Sequence, residues 1–335
     1  MIGVGVVGYG YWGPNLARNI ARDAGLELIA ICDRSPDCLG EARLAHSSTI
    51  LTHEYADLLA NPAIDAVVVA TPVSSHFSLA HAALSAGKHV LVEKPIAASC
   101  DEVSRLMDLA QARGLVLMVD HTFVFTGAVR KIREVIHEPA FGQPRYYDST
   151  RANLGNFQPD SNVLWDLAVH DLAIMDFVLG ARPVAVSATG LCHVPGQRIN
   201  TSFLTLYFAE NIIGHISVNW LSPVKIRRTL VGGSEKMIVY DDLETSEKVK
   251  VFDSGITIVP GRREVHDIQI SYRTGDMWAP KVDATEALQL LVRHFRECVL
   301  GGHRPICGGE EGLAVVRVLE AADRSLLQRG APVTL

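Results

Sequence analysis

The sequence predicts two α/β domains. A doubly wound parallel sheet covers residues 1–122, and an α+β domain with a large, mostly antiparallel open sheet covers residues 123–335. Three observations carry this. Short β-branched runs alternate with longer helical patterns over the first 120 residues, the rhythm of a parallel sheet with crossover helices. A glycine-rich turn sits between the first such run and the first helical pattern. After about Asp120 the alternation stops, and extended segments follow one another with turn signals between them.

The elements follow in order. Val4 to Val7 reads as a strand, Tyr11 to Ala24 as a helix and Leu26 to Cys32 as a second strand. Ala66 to Ala70 is a nearly continuous valine run, as a strand buried on both faces requires. Ser74 to Ala86 is helical and Gly87 stops it, followed by a strand over His89 to Val92. Ser99 and Glu102 form a capping box for a helix that Gly114 closes, and Leu115 to Val119 is the last strand of the first domain. A linker over Asp120 to Thr126 leads to helices at Ala128 to His137 and Val163 to Leu179. Strands are then predicted at 184–189, 203–208, 212–220, 228–231, 237–240 and 249–252, and two helices, 285–300 and 309–328, end the chain.

Composition excludes several classes of function. Of 335 residues, 48% are hydrophobic and 20% charged, which is globular rather than disordered. The net charge of −6 gives no bulk attraction to nucleic acid or to an anionic membrane. Six scattered cysteines show neither zinc spacing nor a disulfide framework, so a reduced compartment and no metal are expected. Met1-Ile2-Gly3-Val4 has no basic leader region, and the longest valine run is far too short to span a bilayer. A cytoplasmic protein is expected.

Gly8-Tyr9-Gly10-Tyr11-Trp12-Gly13 is a G-x-G-x-x-G fingerprint in the context it needs, after a strand and opening a helix. Gly8 permits the tight turn, Gly10 lets the backbone approach a pyrophosphate, and Gly13 allows close helix–strand packing. Asp33 ends the second strand 20 residues beyond Gly13, where a carboxylate holds ribose hydroxyls. A negative charge there favours NAD over NADP, while the adjacent Arg34 offers a 2′-phosphate a partner. Glu93-Lys94-Pro95 follows the strand at 89–92, so Lys94 stands at the carboxyl edge of the sheet where ligands bind, and Pro95 is a candidate cis peptide. Asp166 and His170 are four residues apart on the predicted helix and share a face, so the carboxylate can orient the imidazole. Alcohol oxidation needs a base for the hydroxyl proton. His170 suits that role, and Lys94 is its rival.

These motifs, with Ala70-Thr71-Pro72 and Ser75-His76, give the chain a resemblance to the Gfo/Idh/MocA oxidoreductases along essentially its whole length. The resemblance implies a Rossmann domain paired with an α/β domain that often assembles dimers and tetramers. It implies a catalytic set of Lys94, Asp166 and His170, with further cofactor contacts from Thr71, Pro72, His76 and Glu93 beside those of Tyr11 and Trp12 in the glycine loop.

A narrower similarity is to a subgroup acting on UDP-sugars that includes UDP-N-acetylglucosamine 3-dehydrogenases. It rests on Gly10 to Asn15, His121-Thr122-Phe123, Asn153-Leu154-Gly155, Phe157 to Asp160, Asn162 to Ala168, Trp220 to Lys225 and Pro280-Lys281. It implies substrate contacts from His121, Phe123, Arg151, Asn153, Asn162 and Trp165 beside Lys94, Asp166 and His170, and a partner aminotransferase that consumes a 3-keto product. Lys225, with Arg227 and Arg228, is a candidate for the diphosphate. The chain departs from that subgroup's pattern twice. Val169 stands where proline is expected, and Phe125-Thr126-Gly127 where Tyr-Asn-Pro is expected. Two other readings stay open: a dehydrogenase or ketoreductase of a free sugar, inositol or deoxysugar nucleotide, and a non-catalytic dinucleotide sensor on the same fold.

Overall fold

The structure, a computed structural model, describes residues 1–155, 157, 161–259 and 269–335. The chain forms two compact units, residues 1–125 with 285–320, and residues 126–284 with 321–335.

In the first unit, β1 (Ile2–Val7), α1 (Gly13–Arg22), β2 (Leu26–Cys32), α2 (Pro36–Ala45), β3 (Ile50–Thr52), α3 (Tyr55–Ala60), β4 (Ala66–Val69), α4 (His76–Ser85), β5 (His89–Glu93), α5 (Cys100–Arg113) and β6 (Leu117–Asp120) follow one another. The six strands make one parallel sheet in the order β3-β2-β1-β4-β5-β6, with its crossing point between β1 and β4. All four residues of β4 are buried, as a strand covered on both faces must be. Ser99 caps α5 by accepting the Glu102 N–H, and Gly114 closes it in the left-handed conformation.

In the second unit, α6 (Gly127–Ile136), β7 (Pro144–Leu154), α7 (Val169–Leu179), β8 (Ala185–Leu191), β9 (Thr201–Tyr207), β10 (Ile213–Asn219), β11 (Leu221–Gly233), β12 (Met237–Asp241), β13 (Val249–Phe252), β14 (Gly255–Val259), β15 (Gln269–Arg273) and β16 (Met277–Trp278) are followed, beyond α8 (Ala287–Gly301) and α9 (Gly309–Leu327), by β17 (Val333–Thr334). Nine strands form one sheet, β16-β13-β12-β11-β7-β10-β9-β8-β17, antiparallel except where β7 lies beside β10. Strands β14 and β15 pair separately. Along β9 and β10, Leu204, Leu206, Ile216 and Val218 are buried, while Phe203, Tyr207 and Ile213 on the alternate positions are exposed.

Three features differ from the sequence prediction. The single boundary after residue 122 lies three residues from the observed one, but the chain returns to the first unit. Helix α8 packs on α1, and Arg18 makes a two-pronged ion pair with Glu286 at 2.6 and 3.0 Å. Strand β7 reads as no strand in the sequence because several of its inward positions are polar, with Ser149 and Arg151 buried. The predicted helix from Val163 to Leu179 is two structures: a π-helical turn over Leu164–Ala168 and then α7.

Candidate active site

The glycine loop has the shape a dinucleotide needs. Gly8 has φ of +93°, and a Cβ there would lie 2.5 Å from the Ala70 carbonyl oxygen. A Cβ on Gly13 would lie 2.1 Å from the Gly8 oxygen. A Cβ on Gly10 would meet nothing within 4 Å, so the protein's own packing does not demand glycine there, whereas backbone approach by a pyrophosphate does. No side chain caps the first turn of α1, where Pro14 has no N–H and the Asn15 N–H donates to the Trp12 oxygen at 3.0 Å, so an anion would meet the N–H groups before Pro14. Asp33 Oδ2 accepts the Tyr9 N–H at 2.6 Å and Oδ1 the Ser35 N–H at 2.8 Å, so the carboxylate also braces the loop. Arg34 is exposed, as is Tyr11, whose ring stacks on Trp12.

The ends of β5 and β6 carry a second cluster. The Lys94–Pro95 peptide is cis. His76 is buried and its ring nitrogens hydrogen-bond two carbonyl oxygens, Thr71 O at 2.7 Å and Pro95 O at 2.8 Å, so it ties the Ala70-Thr71-Pro72 turn to the Glu93-Lys94-Pro95 turn. Pro72 is exposed at that turn, and the Thr71 hydroxyl accepts from Ser75 at 2.8 Å. Glu93 Oε2 accepts the Lys94 N–H at 2.9 Å. Glu93 and Asp120 are register partners. Asp120 also accepts the Trp12 indole N–H at 3.2 Å and the Thr122 hydroxyl. Burial pushes both carboxyls up, Glu93 well above the usual carboxylate range with the Asp120 charge adding to it. Next in the chain, His121 is 2% exposed, and neither ring nitrogen has a hydrogen-bond partner among the described residues. Burial, then the Lys94 charge, pushes it down to about 3, so it is a neutral imidazole. Phe123 is half-buried in the short 3-10 turn that follows.

In the second unit, Asp166 lies within the π-helical turn and His170 in the first turn of α7. Wide turns of this kind cost regular hydrogen bonding and recur at functional sites. Val169 N–H donates to Leu164 O, the bond that closes the wide turn, and a proline at 169 has no N–H to give. Asp166 Oδ2 accepts the Trp220 indole N–H at 3.0 Å. Asn162 Oδ1 accepts the Leu164 and Trp165 N–H groups at 2.9 and 3.4 Å, and its amide donates to Asp323 at 2.9 Å. The Trp165 indole donates to the other oxygen of Asp323 at 2.7 Å. The second departure from the subgroup pattern has a local reason as well: a Cβ on Gly127 would lie 2.2 Å from the Asp283 carbonyl oxygen, and Thr126 caps α6.

Other predicted residues have different engagements. The Arg151 guanidinium is 4% exposed and makes a two-pronged pair with Asp171 at 2.7 and 3.3 Å. The Asn153 amide donates to the Leu154 oxygen at 3.0 Å, Lys225 is exposed, and Arg227 pairs with Asp242 at 3.2 Å. Asp120 in the first unit, and Trp220 and Asp323 in the second, bond to predicted site residues of their own unit without having been singled out. Asp120 carried a signal, following directly on the predicted strand Leu115 to Val119 at the carboxyl edge of the sheet. Asp323 carried none, since one aspartate on a long helix is ordinary.

Comparison with known proteins agrees with this picture. Residues 2–121 match the oxidoreductase family with an NAD-binding Rossmann fold, and residues 129–239 match the Gfo/Idh/MocA C-terminal domain. UDP-N-acetylglucosamine 3-dehydrogenase of Acidithiobacillus ferrooxidans is 29% identical over 274 residues, 79% of this chain and 81% of the relative. Its solved structure superposes with a TM-score of 0.82 at 24% identity, covering 98% of both chains. The NAD-dependent scyllo-inositol 2-dehydrogenase of Bacillus subtilis is 24% identical, covering 100% of this chain and 95% of the relative. The chain belongs to the Gfo/Idh/MocA family of NAD-binding oxidoreductases.

Proposed function

We propose that this oxidoreductase oxidises the carbon-3 hydroxyl of a UDP-sugar, UDP-N-acetylglucosamine foremost, to the 3-keto sugar. The observation that carries the reading is the likeness to UDP-N-acetylglucosamine 3-dehydrogenase over four-fifths of both chains. The Asn162-to-Ala168 segment with its Trp220 partner supports it. In this mechanism His170 takes the hydroxyl proton, and Asp166, held by Trp220, orients it. Lys94 donates a hydrogen bond to the substrate oxygen and stabilises the negative charge that develops there. His121, being neutral, offers a substrate hydroxyl a hydrogen bond that its nitrogens lack among the described residues. NAD, held by the glycine loop and Asp33, supplies the hydride acceptor. We place the enzyme in the cytoplasm as a homo-oligomer, supported by the exposed Phe203, Tyr207 and Ile213 on one sheet face. We also assign its product to an aminotransferase. No helix among the described residues is long and apolar enough to cross a membrane.

A second reading, oxidation of a free inositol, is favoured by the full-length likeness to scyllo-inositol 2-dehydrogenase. The test follows formation of reduced nicotinamide by absorbance with UDP-N-acetylglucosamine, free N-acetylglucosamine, myo-inositol and scyllo-inositol. Turnover confined to the nucleotide sugar supports the first reading. Turnover confined to the inositols overturns it.

A further inference from the structure

The π-helical turn Leu164–Ala168 has more outside support than its five residues can give themselves. At its start, Asn162 bridges two backbone N–H groups to Asp323. The Trp165 indole takes the second oxygen of the same carboxylate. In its middle, Asp166 is held by Trp220. Trp220 is itself fixed: it is 1% exposed, its N–H donates to Asn200 O at 2.9 Å, and its ring leaves no room for a Cβ on Gly155, which would lie 2.2 Å from Cδ1. Asp323 therefore has both oxygens committed to donors on the segment that leads into Asp166 and His170. A carboxylate fits there because it accepts at both oxygens, whereas an amide accepts at only one.

We propose that Asp323 is a positioning residue for Asp166 and His170: through Asn162 and Trp165 it sets the wide turn that carries Asp166 and leads into His170. The proposal rests on the reading of Asp166 and His170 as reacting residues, and its test separates the two. Asp323→Asn places an amide N–H against one of the two donors. Asn162→Asp with Asp323→Asn restores every bond: the carboxylate now at 162 caps the turn and accepts from the amide at 323, whose oxygen accepts from Trp165.

The measurement has two arms. In the first, ¹⁵N-labelled tryptophan and ¹³C-labelled histidine report the Trp220 indole, which donates to Asp166, and the His170 ring. In the second, turnover with UDP-N-acetylglucosamine is compared with NAD affinity. Asp323→Asn is expected to shift both resonances and to lower kcat about 10- to 100-fold with little change in NAD affinity, as misplacement of reacting groups does. The double variant recovers both. Unmoved Trp220 and His170 signals in Asp323→Asn overturn the proposal, as does a double variant that recovers neither. A lower melting temperature with unmoved signals makes Asp323 a stabilising residue only, which also overturns it. His170→Asn that keeps full turnover sinks the reading of His170 instead, while the resonance arm still decides Asp323.

Discussion

Glu93 and Asp120 are register partners at the C-terminal ends of β5 and β6, and their carboxyls hydrogen-bond each other. Two carboxylates so close and so enclosed do not both ionise. Asp120 receives donors from Trp12 and Thr122, so it is the better anion, and Glu93 keeps the proton. One neutral acid, Glu93, thus stands immediately before Lys94, and the Asp120 carboxylate beside it links the strand ends to the glycine loop through Trp12.

The pair predicts a pH dependence of stability. Folded Glu93 holds its proton at pH values where the unfolded chain, near about 4.3, has released it. The folded state then binds more protons than the unfolded state, so stability falls as pH rises through this window, by about 1.4 kcal/mol per pH unit for one proton. Glu93→Gln keeps the donor to Asp120 and the acceptor for Lys94 N–H but cannot ionise. Its urea midpoint should fall less than the wild type's as pH rises above the ordinary glutamate value of about 4.3. Equal slopes would show that Glu93 ionises normally.

Asp33 predicts cofactor preference. Its oxygens brace Tyr9 and Ser35, and its charge opposes a 2′-phosphate. Asp33→Asn removes the charge and sets an amide N–H against one of those donors. NAD should bind about tenfold more weakly, about 1.4 kcal/mol, and the NAD-over-NADP ratio should shrink by more than that. Calorimetry with both dinucleotides measures it. An unchanged ratio would mean that Arg34 sets the preference.

The buried Arg151–Asp171 pair predicts a loss of folding rather than of substrate affinity. Removing one partner strands the other charge, so Arg151→Met should cost about 3–5 kcal/mol in urea unfolding. Arg151→Met with Asp171→Leu should recover most of that. A raised KM at unchanged stability would instead place Arg151 against the substrate.

The sequence shows the first unit plainly because its strands are continuous apolar runs and its glycines have steric jobs. Gly8, Gly10, Gly13 and Asp33 stand in the structure where the fingerprint sets them. The return of α8 to α1 was hidden, since it depends on pairs such as Arg18–Glu286 that are 268 residues apart. Strand β7 was hidden because Arg151 and Ser149 occupy inward positions that alternation reserves for apolar residues. The π turn was hidden because an extra residue per turn leaves no mark on so short an apolar pattern. Asp323 was hidden because its role exists only through Asn162 and Trp165.

The last prediction concerns the proton. A histidine base must be neutral, so oxidation should fall with acid through one ionisation if His170 accepts the hydroxyl proton. Two other groups bear on that limb. His121 is excluded by its own environment: pushed down to about 3, it stays neutral throughout the working range. Glu93 is a real rival because burial raises its carboxyl well above the usual range, and Glu93→Gln removes that ionisation while keeping its hydrogen bonds. His170→Asn should lose most of the turnover and the limb with it. Lys94→Ala should lower kcat strongly with a smaller effect on NAD affinity, the mark of an interaction made mainly in the transition state. Glu93→Gln should leave the limb in place. If Glu93→Gln erases the limb, the Glu93–Asp120 pair controls it. If His170→Asn keeps the limb and Lys94→Arg abolishes it, the base is Lys94 and His170 only orients the substrate.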